Sequence, residues 1–113
     1  MVAGETSPDR GDLVWVSLNP QAGHEQAGRR PALVVSPAEY NRRVGLALMC
    51  PITSKEKGYP FEVSLPDDLK ISGVVLSDQV KSLDWRAREA QIADVAPEAT
   101  TAEVLGKLNA LLS

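Results

Sequence analysis

The apolar residues of this chain come in short runs separated by polar segments that carry glycine or proline, and only the last run has a helical period. Such a pattern restricts the fold to a small sheet of short strands finished by one terminal helix. The run at 13–18 alternates, with Val14, Val16 and Leu18 on one face and Leu13 and Trp15 on the other. Pro31 opens the next run, where a missing N–H is tolerated. Ala32-Leu33-Val34-Val35 is apolar throughout, so that strand is expected to be covered on both faces. Ser36-Pro37-Ala38-Glu39 reads as a helix start over 37–43, with Ser36 as N-cap and Glu39 closing a capping box. A third run follows at 46–52, and Pro51 near its end implies an edge or strand-end position. Residues 61–65 alternate as a half-buried strand should, and 66–68 form a turn. A strand at 73–76 is continued by 80–83, and 86–95 is the last strand. The helix from 97 to about 111 carries a stripe of Ala102, Leu105, Leu108 and Leu112. The expected class is mainly β with short helices (α+β): a curled antiparallel sheet or barrel.

Size and composition bound the function. One hundred and thirteen residues fit one domain, taken as 11–113 behind a flexible lead-in over 1–10. No run approaches the roughly 20 apolar residues of a membrane span, and no apolar leader is visible. One cysteine, Cys50, excludes an internal disulfide and suits a reducing cytoplasm. The net charge of −3 does not advertise nucleic-acid binding, but the charge is uneven. Residues 21–60 hold six Lys/Arg against three acids, and residues 61–113 hold five against nine. A basic face on an acidic chain is compatible with this, and the local field matters more than the total.

The stretch 23–31, Gly-His-Glu-Gln-Ala-Gly-Arg-Arg-Pro, concentrates the chemistry. It is a polar loop between two strands, where functional groups tend to sit. If the second and third strands are antiparallel neighbours, the start of one lies beside the end of the other. Arg30 and Thr53 then meet at one end of the sheet. Arg30 precedes a proline, which holds it extended along its strand. An arginine, a threonine hydroxyl, a glutamate and a nearby lysine match the needs of RNA cleavage by the internal 2′-hydroxyl. That reaction requires a base, an acid for the leaving 5′-oxygen, and positive charge where the phosphorane forms. Arginine stabilises charge through its planar fork, and Glu25 or His24 is the candidate base. The plain structural alternatives are an Arg30–Glu25 surface pair, a solvated His24 and a Thr53 that only caps a turn. One His and one Cys without clustered carboxylates offer no evident metal site, so no metal or other cofactor is expected.

Motifs in family order then carry a resemblance to the MazF/PemK toxin endoribonucleases, close to the MazF branch. They are Gly11-Asp12-Leu13-Val14-Trp15-Val16, the stretch from Gly23 to Ala32, Val35-Ser36-Pro37 with Tyr40-Asn41, and Pro51-Ile52-Thr53. Lys57-Gly58-Tyr59-Pro60-Phe61-Glu62-Val63, Asp78-Gln79-Val80-Lys81-Ser82 and Trp85-Arg86-Ala87-Arg88 complete the set. The resemblance implies an SH3-like barrel (CcdB/PemK-like) with a C-terminal helix, acting as a homodimer. It implies metal-independent, sequence-specific cleavage of single-stranded mRNA to 2′,3′-cyclic phosphate and 5′-hydroxyl ends, which inhibits translation and growth. The family's catalytic residues fall on Arg30, Thr53 and Glu25. RNA binding is expected of His24, Gln26, Arg29, Ser54, Lys57, Gln79, Lys81 and Trp85, with Asn41 a weaker candidate. Trp85 would stack a base, against the plain alternative of a core or interface residue. The partner implied is a MazE-like antitoxin whose acidic, disordered tail covers the basic groove, with the loop over 19–28 moving or disordering when it binds. The rivals are a CcdB-like gyrase-binding toxin, whose Trp-Gly-Ile ending this chain lacks, and a non-catalytic RNA-binding barrel.

Overall fold

The computed structural model describes residues 6–18 and 28–113. His24, Glu25, Gln26 and most of the loop that carries them lie outside the described residues. Strand β1 (Asp12–Leu18) pairs antiparallel with β2 (Gly28–Val34), and β2 pairs antiparallel with β3 (Ala47–Thr53). Helix α1 (Ala38–Val44) connects β2 to β3. Short strands β4 (Glu62–Ser64), β5 (Val74–Leu76) and β6 (Lys81–Leu83) follow, then β7 (Gln91–Val95) and helix α2 (Glu98–Leu112). The described sheet runs β4-β5-β3-β2-β1-β7, with β6 also on β3. This is the curled antiparallel architecture with a terminal helix that the run pattern implies.

The three central strands are covered on both faces. Leu13, Leu33, Cys50 and Ile52 point into one cluster with Val63, Val75 and Val104 of α2. Val14, Val16, Ala32, Val34, Ala47 and Met49 point into the other, which Trp85 closes. The alternation of β1 is as its sequence suggests for Leu13 to Val16; the side chain of Leu18 lies outside the described set.

Five local expectations are corrected. Pro31 does not open β2: the pairing with β1 runs on through Arg30 and Arg29 to Gly28, so the proline stands mid-strand opposite Trp15. Ser36 does not cap α1; Pro37 occupies the N-cap position. Asp9 caps the helix instead, its Oδ1 accepting the Ala38 N–H at 2.8 Å. Ser36 is drawn away because its hydroxyl donates to Asn41 Oδ1 at 2.5 Å and accepts the Leu48 N–H at 2.9 Å. Pro51 is not on an edge. It opposes Ala32 of β2, and on the far side β6 pairs residues 47–49 while β5 pairs 52–53. The residue without an N–H sits in the gap where that side changes partner. Residues 85–89 form a turn, with Glu89 at φ 53°, so the last strand starts only at Gln91. The helix stripe holds only in part: Leu105 and Leu108 pack against the core, but Ala102 and Leu112 are exposed, and Thr100, Thr101 and Val104 are the buried residues.

Asn41 fastens several of these pieces. It is fully buried, and its Nδ2 donates to the carbonyls of Pro8 (2.7 Å) and Ser36 (3.0 Å). Its own carbonyl accepts the Trp85 indole N–H at 2.8 Å. The weaker expectation that Asn41 contacts RNA gives way to this structural role. From Pro8 onward the N-terminal segment is thereby tied to the body, helped by Arg10 Nε donating to the Val35 carbonyl at 2.8 Å.

Three outcomes are expected. Asn41→Ala strands buried polar groups of Pro8 and Ser36 and should lower the unfolding free energy by about 2–4 kcal/mol, read by urea denaturation. Burial, then the nearby Asp78 charge, pushes the Cys50 thiol up to about 11 from 9.0. The unfolded chain loses that proton first, so stability should fall as pH rises through this window. Native Cys50 should likewise react with a thiol reagent at pH 8 far more slowly than in urea.

Candidate active site

Arg30 is exposed on β2, opposite Val16 of β1, with Pro31 behind it. The β2–β3 register sets Val34 against Met49 and Ala32 against Pro51. Carried outward by two residues, the same register sets Arg30 against Thr53, on one face of the sheet. Both line an open cleft of about 410 Å³, together with Trp15, Arg29, Ser54, Lys55 and Lys70. No carboxylate among the described residues lines it.

Thr53 is fixed from two directions. It opposes Val74 of β5, and the neighbouring Gly73 (φ +123°) lets the chain close on it. A Cβ on Gly73 would lie 2.3 Å from the Thr53 carbonyl oxygen. Thr53 Oγ1 accepts the Lys55 N–H at 3.1 Å, which turns the chain out of β3. The hydroxyl proton remains available to a phosphate oxygen. The Arg30 guanidinium has no hydrogen-bond partner among the described residues, and its pairing with Glu25 falls outside them. A fixed hydroxyl beside a planar cation that no described residue neutralises is an anion site suited to phosphate.

The site continues beyond Thr53. Thr53 and Lys55 also line a second cleft with Lys57, Tyr59, Glu62, Leu76 and Gln79. Glu62 accepts the N–H groups of Lys57 (3.1 and 3.2 Å) and Gly58 (2.9 Å), so its charge is spent on holding the loop. Lys107 of α2 braces the same loop through the Pro60 carbonyl at 2.6 Å. On the other side of Arg30, a small pit lined by Met49, Leu83 and Lys81 opens.

Of the residues singled out in the sequence, Arg29, Arg30, Thr53 and Ser54 share one cleft, Lys57 and Gln79 join through Thr53, and Lys81 joins through Arg30. Arg29 is already engaged: its guanidinium donates to Ser17 Oγ (2.9 Å), the Arg88 carbonyl (3.3 Å) and Gln91 Oε1 (3.4 Å). It is a charged wall of the cleft more than a free ligand. Trp85 corrects an expectation. It is 4 % exposed, its indole N–H is satisfied by Asn41, and Arg86 lies over its ring at 4.5 Å, so no base can reach its face. Lys55 and Lys70 were not anticipated at the site, and neither was the role of Glu62 as a brace. Lys70 follows a turn remote in sequence from both loops, and nothing in its local pattern marks it.

A family model described as PemK-like, MazF-like toxin of type II toxin-antitoxin system matches residues 9–112. The chain belongs to this toxin family. Among its relatives in the MazF/PemK family, the endoribonuclease toxin MazF of Escherichia coli strain K12 is 50% identical over 106 residues, covering 93% of this chain and 94% of the relative. The endoribonuclease PemK of Escherichia coli is 38% identical over 117 residues, covering 100% of this chain and 88% of the relative. A crystal structure of MazE-MazF from Deinococcus radiodurans superimposes with a TM-score of 0.91 at 59% identity, covering 96% of this chain and 97% of that one. The MazF fold is thus the fold of this chain, and the cleft lies across β1, the start of β2 and the end of β3.

Gly73→Ala should cost about 1–3 kcal/mol through the forced retreat of Thr53, read as a lower urea midpoint. Amide shifts at Thr53 and Val74 in heteronuclear NMR should accompany it. An unchanged midpoint and unchanged Thr53 shifts would show that the close approach does not matter.

Proposed function

We propose that this chain is the endoribonuclease toxin of a type II toxin–antitoxin system, cutting single-stranded mRNA at a short preferred sequence and so stopping translation. The observation that carries the reading is that an exposed Arg30, without a partner among the described residues, shares with a fixed Thr53 hydroxyl a cleft whose charged lining among those residues is cationic throughout. The family membership and the endoribonuclease relatives support it.

In the proposed reaction the 2′-hydroxyl attacks the adjacent phosphorus. A P–O bond forms at the 2′-oxygen, and the bond to the 5′-oxygen breaks. The 2′-proton passes to a base, and the leaving 5′-oxygen takes up a proton, giving a 2′,3′-cyclic phosphate and a 5′-hydroxyl. Arg30 offsets the charge that builds on the phosphorane, where it is worth most in a site of fixed donors. Thr53 holds a non-bridging oxygen. Glu25 is the proposed base or positioning group, with His24 as the alternative. Ser54, Arg29, Lys57, Gln79 and Lys81 border the track along which the strand lies, with His24 and Gln26 assigned to it from the loop. This chemistry closes with protein groups alone and is proposed to need no metal.

The partners proposed are a second copy of the chain, in a homodimer, and a MazE-like antitoxin. The solved relative from Deinococcus radiodurans is itself a MazE-MazF complex. An acidic tail lying in the cationic cleft would exclude RNA by occupying the same charges. No described helix is long and apolar enough to cross a membrane, and a cytoplasmic site of action is proposed.

Purified protein freed of antitoxin should cut a long single-stranded RNA in EDTA at discrete sites. Arg30→Ala should lower the rate by roughly 100-fold or more while leaving the circular dichroism spectrum unchanged. Cutting by that variant at the wild-type rate would sink the assignment. Binding without any cutting by the wild type would leave an RNA-binding barrel.

A further inference from the structure

Trp15 lies in the middle of β1, its Cα opposite Pro31 on one side and Gln91 on the other. Its strand is therefore held from both flanks. The side chain is half-buried and packs on the core cluster beneath the sheet, yet it also lines the Arg30/Thr53 cleft. It is shared with an adjoining open cleft of about 430 Å³ that Lys70, Gln91, Ile92 and Ala93 complete. Its indole N–H has no partner among the described residues. Trp85, the other tryptophan, is the reverse case, sealed in the core with its N–H satisfied. A ring that the core immobilises on one side and that faces a groove on the other can stack a base with little loss of side-chain entropy.

Lys70 borders both clefts. Its ammonium has no partner among the described residues, while its backbone is fixed: the Lys70 N–H donates to Asp94 Oδ2 at 2.9 Å. That bond and the Val95 N–H hold the Asp94 carboxyl below the usual carboxylate range, so the brace stays charged. Ile92, 42 % exposed, adds an apolar wall beside the ring.

We propose that Trp15 is the stacking platform for a base flanking the scissile phosphate, and that Lys70 holds the phosphate next along the strand. This rests on the RNA-cleaving reading of the Arg30/Thr53 cleft and extends its track by about one nucleotide. The platform contributes affinity without reading base identity, since every base has a π-face. Trp15 is a binding and positioning residue, distinct from the groups at the cut.

The test uses an oligonucleotide of the mapped cut sequence, made uncleavable by a 2′-deoxy sugar at the attacking position, and scanned with single abasic sites. Binding is followed by anisotropy. One abasic position beside the cut should weaken wild-type binding roughly tenfold or more. The same substitution should cost Trp15→Leu almost nothing, because that variant has already lost the stack. Trp15→Phe should restore the abasic penalty. If Trp15→Leu does not fold, the tryptophan fluorescence of the wild type decides: binding should quench it, and the quench should vanish in Trp15→Phe, which keeps only the buried Trp85. Equal abasic penalties in wild type and Trp15→Leu, or binding without a quench, would overturn the stacking role while RNA cleavage stands. Absence of both cleavage and binding by the wild type would instead remove the functional reading on which it rests. Lys70→Ala should weaken binding several-fold and shrink its salt dependence by about one phosphate contact; an unchanged salt slope would remove Lys70 from the track.

Discussion

The antiparallel pairing of β2 with β3 is the constraint on which the rest depends. It places Ala32 against Pro51, and two residues further out it brings a pre-proline arginine level with the last residue of β3. Neither side chain needs a long flexible arm to find the other. The same pairing turns alternate residues of both strands into two separate core clusters, so the sheet that aims the site is packed from both faces. Backbone hydrogen bonds set the site's geometry, and burial keeps it there.

Charge is divided between two tasks. The chain is acidic in total, yet Glu62 and Asp94, both close to lysines of the clefts, accept backbone N–H groups. Glu62 brackets the loop carrying Lys57, and Asp94 brackets Lys70. Cations meanwhile face the clefts. A carboxylate that accepts backbone N–H bonds is held in place, and here each one braces the segment that carries a lysine. On a chain of net charge −3, the Arg30/Thr53 cleft still has only cations as its charged lining among the described residues.

Much of the architecture was legible because it rests on local signals. The apolar runs and the continuity of Ala32 to Val35 report their own environment. The meeting of Arg30 and Thr53 followed from strand direction alone. What failed did so where a distant residue competed. Ser36 has the sequence of an N-cap, but Asn41 takes its hydroxyl and Asp9, 29 positions away in the chain, caps the helix. Pro51 reads as an edge residue because sequence does not reveal that two different strands divide one side of β3. Trp85, offered as a base-stacking residue, proves to be the core residue of the plain alternative for the same reason. Trp85 stands in a polar stretch and is sealed by Asn41, whereas Trp15 stands in an apolar strand and borders the groove. Glu62 and Lys70 gain their roles only from tertiary neighbours.

The division of β3 between two partners has a mechanical meaning. Residues 47–49 are paired on one side by β6, and Met49 to Pro51 are paired on the other by β2, so the first part of the strand is clamped into the body. Ile52 and Thr53 are paired by β5. Cys50 and Pro51 form the seam between the two sections. A strand built this way need not open as a unit: its far end can part from β5 while the clamped section keeps its hydrogen bonds, at a free energy well below that of global unfolding. Thr53 thus answers to β5 and the Gly73 turn rather than to β6, so a shift of that short strand would move the threonine while the clamped section of β3 stays in register.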